Sequence, residues 1–89
     1  MTVGHNEQLT LAEMRTGQTG TVVGVLTGYR LIGRLDALGI RPGKKVTKVS
    51  SGLFHGPITV RVDNAQVAVG FGMATKIMIR VDRYLPRPS

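Results

Sequence analysis

The clearest alternation in the chain runs from Pro57 to Val62, where Ile58, Val60 and Val62 share one side and Thr59 and Arg61 the other. A period of two over this length predicts a half-buried strand. The pattern returns between Ile77 and Arg83, with Ile77, Ile79 and Val81 turned inward and Met78, Arg80 and Asp82 outward. Val22, Val23 and Val25 mark a strand over Gly20 to Leu26, since β-branched side chains suit a pleated surface. Lys45 to Ser51 predicts another strand, and Gln66 to Val69 one more after the Asp63-Asn64 turn. Between these last two predicted strands and the chain's final one, Gly70-Phe71-Gly72-Met73-Ala74 breaks the pattern and accommodates a single helical turn.

Helical spacing dominates in one place, Tyr29 to Leu38. Leu31, Leu35 and Leu38 fall at i, i+4 and i+7 and form one apolar stripe, which Ile32 widens. Arg30 and Arg34 lie four apart on another face. Gly39 supplies the left-handed position that stops a helix, and Pro42-Gly43 suits the centre of a type II turn. Nearer the start, Thr10-Leu11-Ala12-Glu13 is a capping box, and Leu9 and Met14 have the spacing of a hydrophobic staple. Gly17 is expected to end that helical turn with a positive φ. The loop Ser50 to His55 carries Leu53 and Phe54, which either close over the core or stand out as an apolar contact.

Five short strands with one or two short helices predict a mainly β fold, a small partly open barrel. The order lacks the repeated βαβ alternation of a parallel sheet. The expected organisation is one domain over residues 9–83, with tails at 1–8 and 84–89.

Composition narrows the function. Among 89 residues there is no cysteine, which excludes disulfides, thiolate metal sites and a cysteine nucleophile. No apolar run approaches the roughly 20 residues that span a bilayer, and Met1 to Gln8 is polar and unlike a signal peptide. The expectation is a soluble cytoplasmic chain with no membrane insertion. The net charge of +7, twelve Lys and Arg against five acids, favours an acidic partner: nucleic acid, an anionic membrane surface or an acidic protein face.

The candidate chemistry is sparse. Glu13 fits a cap, Asp63 a turn and Asp82 an outward strand position, so no carboxylate pair is set for acid-base work. Gly39-Ile-Arg-Pro-Gly43-Lys44-Lys45 fails as a phosphate loop: three residues separate the glycines where four are needed, and Lys45 replaces the required Ser or Thr. His5 and His55 are the only imidazoles, and Glu7 lies near the first. They are weak candidates for a divalent metal, because a transport or sensor site needs three or four converging ligands. No cofactor is expected beyond such weak metal binding. Two Phe and two Tyr, scattered along the chain, make a poor stacking platform for nucleic acid, which is disfavoured as a partner. Partner binding is therefore the favoured function. The candidate contacts are Arg30, Arg34 and Arg41 beside the helix, and Leu53 and Phe54 in the loop.

One ordered set of residues goes further: Leu9-x-Leu11-x-x-Met14-x-x-Gly17-x-x-Gly20, then Arg34-Leu35-x-x-Leu38-Gly39-Ile40-x-Pro42-Gly43, then Gly56-Pro57-Ile58, Val67-Ala68-Val69 and Ala74-x-x-Ile77. It resembles the FeoA family, small cytoplasmic accessory proteins of bacterial ferrous iron uptake, over Leu9 to Val81. The resemblance implies an SH3-like barrel, no catalysis, and a FeoB-like ferrous iron permease as partner. That permease is a membrane protein with a cytoplasmic GTP-binding domain, which the accessory protein binds and supports or regulates; a homo-oligomer is also compatible. The same domain is similar to the C-terminal module of metal-dependent transcriptional repressors, where a helix-turn-helix domain precedes it. Only eight residues precede it here, so a free-standing protein is expected. The alternatives are a nucleic-acid-binding small barrel and a metal-responsive regulatory module. Gly70-Phe71-Gly72-Met73 departs from the family, which often has a charged helical turn at that place.

Overall fold

The computed structural model describes residues 7–26 and 29–81. Six antiparallel strands form one sheet: β1 (Glu7–Thr10), β2 (Thr19–Val25), β3 (Lys45–Ser50), β4 (Ile58–Val62), β5 (Ala65–Val69) and β6 (Ile77–Val81). Their spatial order is β1-β6-β2-β3-β4-β5, so β1 and β5 form the two edges. A helix α1 (Tyr29–Ala37) follows β2, a one-turn helix α2 (Phe71–Ala74) precedes β6, and 3₁₀ turns occupy Leu11–Glu13 and Leu53–His55. The fold is mainly β and SH3-like, as expected.

The inward residues of the alternating strands build the core. Ile58, Val60 and Val62 of β4 and Ile77, Ile79 and Val81 of β6 are all buried, together with Leu11, Val22, Leu35 and Ile40. Register shifts between Val22 and Gly24 on β2, and between Lys48 and Ser50 on β3, mark bulges. Each bulge adds local twist, which lets so short a sheet wrap around one core.

Helix α1 stops as its sequence dictates. The Gly39 amide donates to Asp36 O and the Ile40 amide to Leu35 O, both at 2.9 Å, with Gly39 at φ 85. This is a Schellman motif, and its usual apolar clasp is present because Leu35 and Ile40 are both buried. The Lys44 amide then donates to Arg41 O at 3.0 Å around Pro42-Gly43, and Gly43 takes φ 93 as a type II turn requires. That turn is stitched to β2: the Gly43 amide donates to Val22 O and the Val22 amide to Lys44 O.

Two expectations are corrected. The sheet has six strands, not five, and the added strand β1 begins at Glu7, inside the stretch assigned to the N-terminal tail. Its residues pair from Glu7↔Val81 to Thr10↔Met78. The physical reason is long-range pairing with β6, which leaves no local pattern. The first helical turn also ends earlier than expected. Met14 is already extended, at φ −64 and ψ 151, which swings its side chain into the core. Gly17, at φ 94, serves a separate turn closed by the Gln18 amide on Arg15 O. The capping box itself forms: the Glu13 amide donates to Thr10 Oγ1, and the Thr10 amide to Glu13 Oε1 at 2.8 Å.

Candidate functional site

The loop between β3 and β4 carries the most exposed apolar side chains of the described residues. Leu53 is 82% exposed and Phe54 99%. They do not cover the core, and their apolar surface faces solvent. The backbone beneath them is unusual. Phe54 lies at φ 51, ψ 47 and His55 at φ 62, the left-handed region that non-glycine residues seldom occupy. Such conformations cost on the order of 1 kcal/mol or more each and persist only where surrounding contacts impose them. Here the loop is pinched at its neck. The Gly56 amide donates to Leu53 O at 2.9 Å, and a side chain at Gly52 would stand 2.5 Å from Gly56 C and Pro57 O.

Beside this prong lies a cleft of about 330 Å³, lined by Ala12, Ser51, Gly52, His55, Gly56, Ile58 and Phe71. The His55 ring forms one wall by stacking on Phe71, with ring centroids 4.3 Å apart and planes 13° from parallel. Helix α2 presents Phe71. Its turn is closed by the Ala74 amide on Gly70 O and by Thr75 Oγ1 donating to Gly72 O at 2.7 Å.

A buried cation holds the backbone at Ala12, one of the cleft's lining residues. Lys48 is 2% exposed. Its Nζ donates to Met14 O at 2.6 Å, Ala12 O at 3.2 Å and Leu11 O at 3.5 Å. The ammonium thus fastens the first 3₁₀ turn to β3. Burial pushes its pKa below the usual 10.5.

The basic candidates lie elsewhere. Arg34 and Arg41 are exposed at the far end of α1, where Arg41 pairs with Asp36 at 3.5 Å. This end sits against the close of β4: Gly39 adjoins Val62, and Lys44 Nζ grips both carboxylate oxygens of Asp63 at 2.9 and 3.0 Å. The prong is at the opposite end of β4. Five residues of strand separate the two by about 13 Å or more, at ~3.3 Å of rise per residue. The two arginines and the apolar pair are therefore two surfaces, not one. The Arg30 side chain and all of His5 lie outside the described residues. Among the described residues no group of three or more His, Asp or Glu side chains could hold a metal ion. No helix among them is long and apolar enough to cross a membrane.

Residues 9–81 match the FeoA domain. The chain belongs to the FeoA domain family. A crystal structure of an iron uptake regulatory protein, FeoA, is 32% identical, covering 84% of this chain and 97% of that one with a TM-score of 0.78. A FeoA-like protein from Clostridium acetobutylicum shares the fold at 18% identity, covering 98% and 96% of the two chains, TM-score 0.77. A manganese-dependent transcriptional repressor is 25% identical over 89% of this chain, TM-score 0.78, and the match spans 44% of that longer protein. A comparison with curated protein sequences found no match. Membership of the FeoA family supports involvement in ferrous iron transport.

Two features of this FeoA domain escape its sequence pattern. Lys48 shares a face with buried Val46, so strand alternation points it inward, yet a lysine in a strand ordinarily reads as solvent-facing. The His55–Phe71 stack joins residues from separate segments, and no local spacing signals it.

Proposed function

We propose that this FeoA-domain protein is a cytoplasmic accessory of ferrous iron transport that binds the cytoplasmic region of a FeoB-like permease and catalyses no reaction itself. The observation that carries the reading is the Leu53–Phe54 pair, bare to solvent on a pinched and strained loop beside a cleft. Burying an aromatic and an aliphatic anchor supplies the kind of central contact on which protein interfaces depend. A preformed backbone also spares the ordering cost of docking. Three of the acids already have structural tasks: Glu13 caps, Asp36 pairs with Arg41, and Asp63 pairs with Lys44.

Calorimetry with the permease's soluble domain, with and without guanine nucleotide and ferrous ion, tests this reading. Wild type binds, L53S/F54S loses most of the affinity, and R34A/R41A reports separately on the basic end. No heat under any of these conditions would remove the permease as partner. One observation favours a second reading, a metal-responsive regulatory module: the domain shared with the manganese-dependent repressor. Metal titration of a variant lacking His5 and His55 tests it, and unchanged affinity would remove both as ligands.

A further inference from the structure

The outward face of the sheet carries cations that neither the core nor the prong uses. Alternation on β3, β4 and β6 turns Val46, Val62 and Ile79 into the core, and their neighbours Lys45, Arg61 and Arg80 to the opposite side. Register brings these cations together. Arg80, Thr21 and Lys45 stand opposite one another across three strands, and Thr47, Arg61 and Gln66 do so in the next row. At ~4.8 Å between strands, Arg80 and Lys45 are about 10 Å apart. Arg61 is a diagonal neighbour of Lys45, at about 7–8 Å. We propose that this face docks on an anionic lipid bilayer without crossing it, with its arginines on the lipid phosphates. The proposal uses a face other than the Leu53–Phe54 prong and does not rest on the permease reading.

Charge argues for the occupant. Among the described residues no Asp or Glu pairs with Arg61 or Arg80, and Asp63, two residues past Arg61, is taken by Lys44. Asp82 lies outside the described residues. The cations stand within about one Debye length of their neighbours (~10 Å at 0.1 M), so an anionic surface meets them together. A net charge of +7 draws the whole chain toward such a surface. What lies between the cations selects among acidic partners. The intervening Thr21, Thr47 and Gln66 are polar and uncharged. These rows hold no aromatic ring on which bases would stack, and no helix or ribbon projects from them to enter a groove. They also lack the aromatic or apolar anchor that centres a protein interface. A bilayer needs neither. Its headgroups present phosphates as a continuous layer, and each Lys or Arg beside it strengthens binding about fivefold.

Co-sedimentation of the full chain with vesicles is the test, phosphatidylcholine alone against phosphatidylcholine with about one-third phosphatidylglycerol. The expected result is binding to the anionic vesicles only, lost between about 0.05 and 0.5 M salt as the Debye length shrinks. R61Q/R80Q weakens it roughly 25-fold, two cations at about fivefold each. R61Q alone, at an exposed position, weakens it about fivefold and serves if the half-buried Arg80 proves necessary for folding. R15Q/K76Q removes the same charge from exposed turns off this face and stays within about twofold of wild type, because charges beyond a Debye length are screened. Equal losses in the two double variants mean attraction by net charge without a defined face, and overturn the proposal. So does binding that R61Q/R80Q leaves unchanged, or no binding to anionic vesicles at the lowest salt. Duplex DNA under the same conditions distinguishes the other polyanion: DNA held more tightly than the vesicles, with the same dependence on Arg61, overturns the bilayer as occupant.

Discussion

Replacing Lys48 by methionine keeps an unbranched side chain one atom shorter and deletes its three donors. Three carbonyls are affected. Leu11 O retains the Met14 amide, while Ala12 O and Met14 O lose the ammonium that satisfied them. An unsatisfied buried carbonyl costs about 1–3 kcal/mol, and at the edge of a 3₁₀ turn, where water can approach, the lower half applies. Two such groups cost about 3 kcal/mol, and the apolar methyl end of methionine returns ~1 kcal/mol by burial. The net loss of about 2 kcal/mol lowers the melting temperature by roughly 8–16 °C in a domain this small. Calorimetric or circular-dichroism melts of the two proteins measure it. Desolvation of the charge works the other way, and it is the cause of the lowered pKa. A variant as stable as wild type would show that desolvation cancels the carbonyl contacts and would refute the reasoning. The pH dependence is a second readout. Between the lowered native pKa and 10.5, the unfolded chain holds a proton that the native chain gives up. Stability therefore rises with pH across that window and is lower beneath it. The advantage of wild type over K48M grows as pH climbs through it, and an advantage that shrinks there contradicts the burial argument.

Phe54→Asn puts a residue tolerant of left-handed backbone at φ 51, so it raises stability by about 0.5–1 kcal/mol while weakening every contact the prong makes. Chemical denaturation and the binding assay, run together, check that trade. Gly20→Ala places a methyl group against the Ile79 side chain and 2.8 Å from Arg80 O, with an expected loss of about 1–3 kcal/mol from overpacking. Urea unfolding reports it as a lower midpoint at unchanged slope. Thr10→Ala removes half of the capping box and costs about 1 kcal/mol, read as a small drop in melting temperature.

Much of this fold is written locally. The alternation of Ile58, Val60 and Val62 identifies the buried face of β4, and Gly39 marks the helix stop down to the residue. What sequence left unread depends on distant partners. β1 has a single strong apolar residue, Leu9, and owes its extended form to β6, some seventy residues on. Lys48 is held by carbonyls 34 to 37 positions earlier, which no window of sequence contains. At the site, the residue types at 53 and 54 were legible as core or contact, but only the pinched neck between Gly52 and Pro57 decides which way they point. Sequence names the arginines near α1 and the loop pair as candidate contacts but not their separation. The length of β4 sets them apart in space.

The pairing of β1 with β6 joins Glu7 to Val81, so the two ends of the sheet leave the domain side by side, with Cα atoms about 5 Å apart. Such a domain is a plug-in unit. A few residues of linker could join positions 7 and 81, and the chain could be reopened at the Asp63-Asn64 tip without breaking a strand. The same adjacency delays folding on the ribosome: β1 and β2 both wait for β6 as a neighbour, and the sheet cannot close until the last of it has been made.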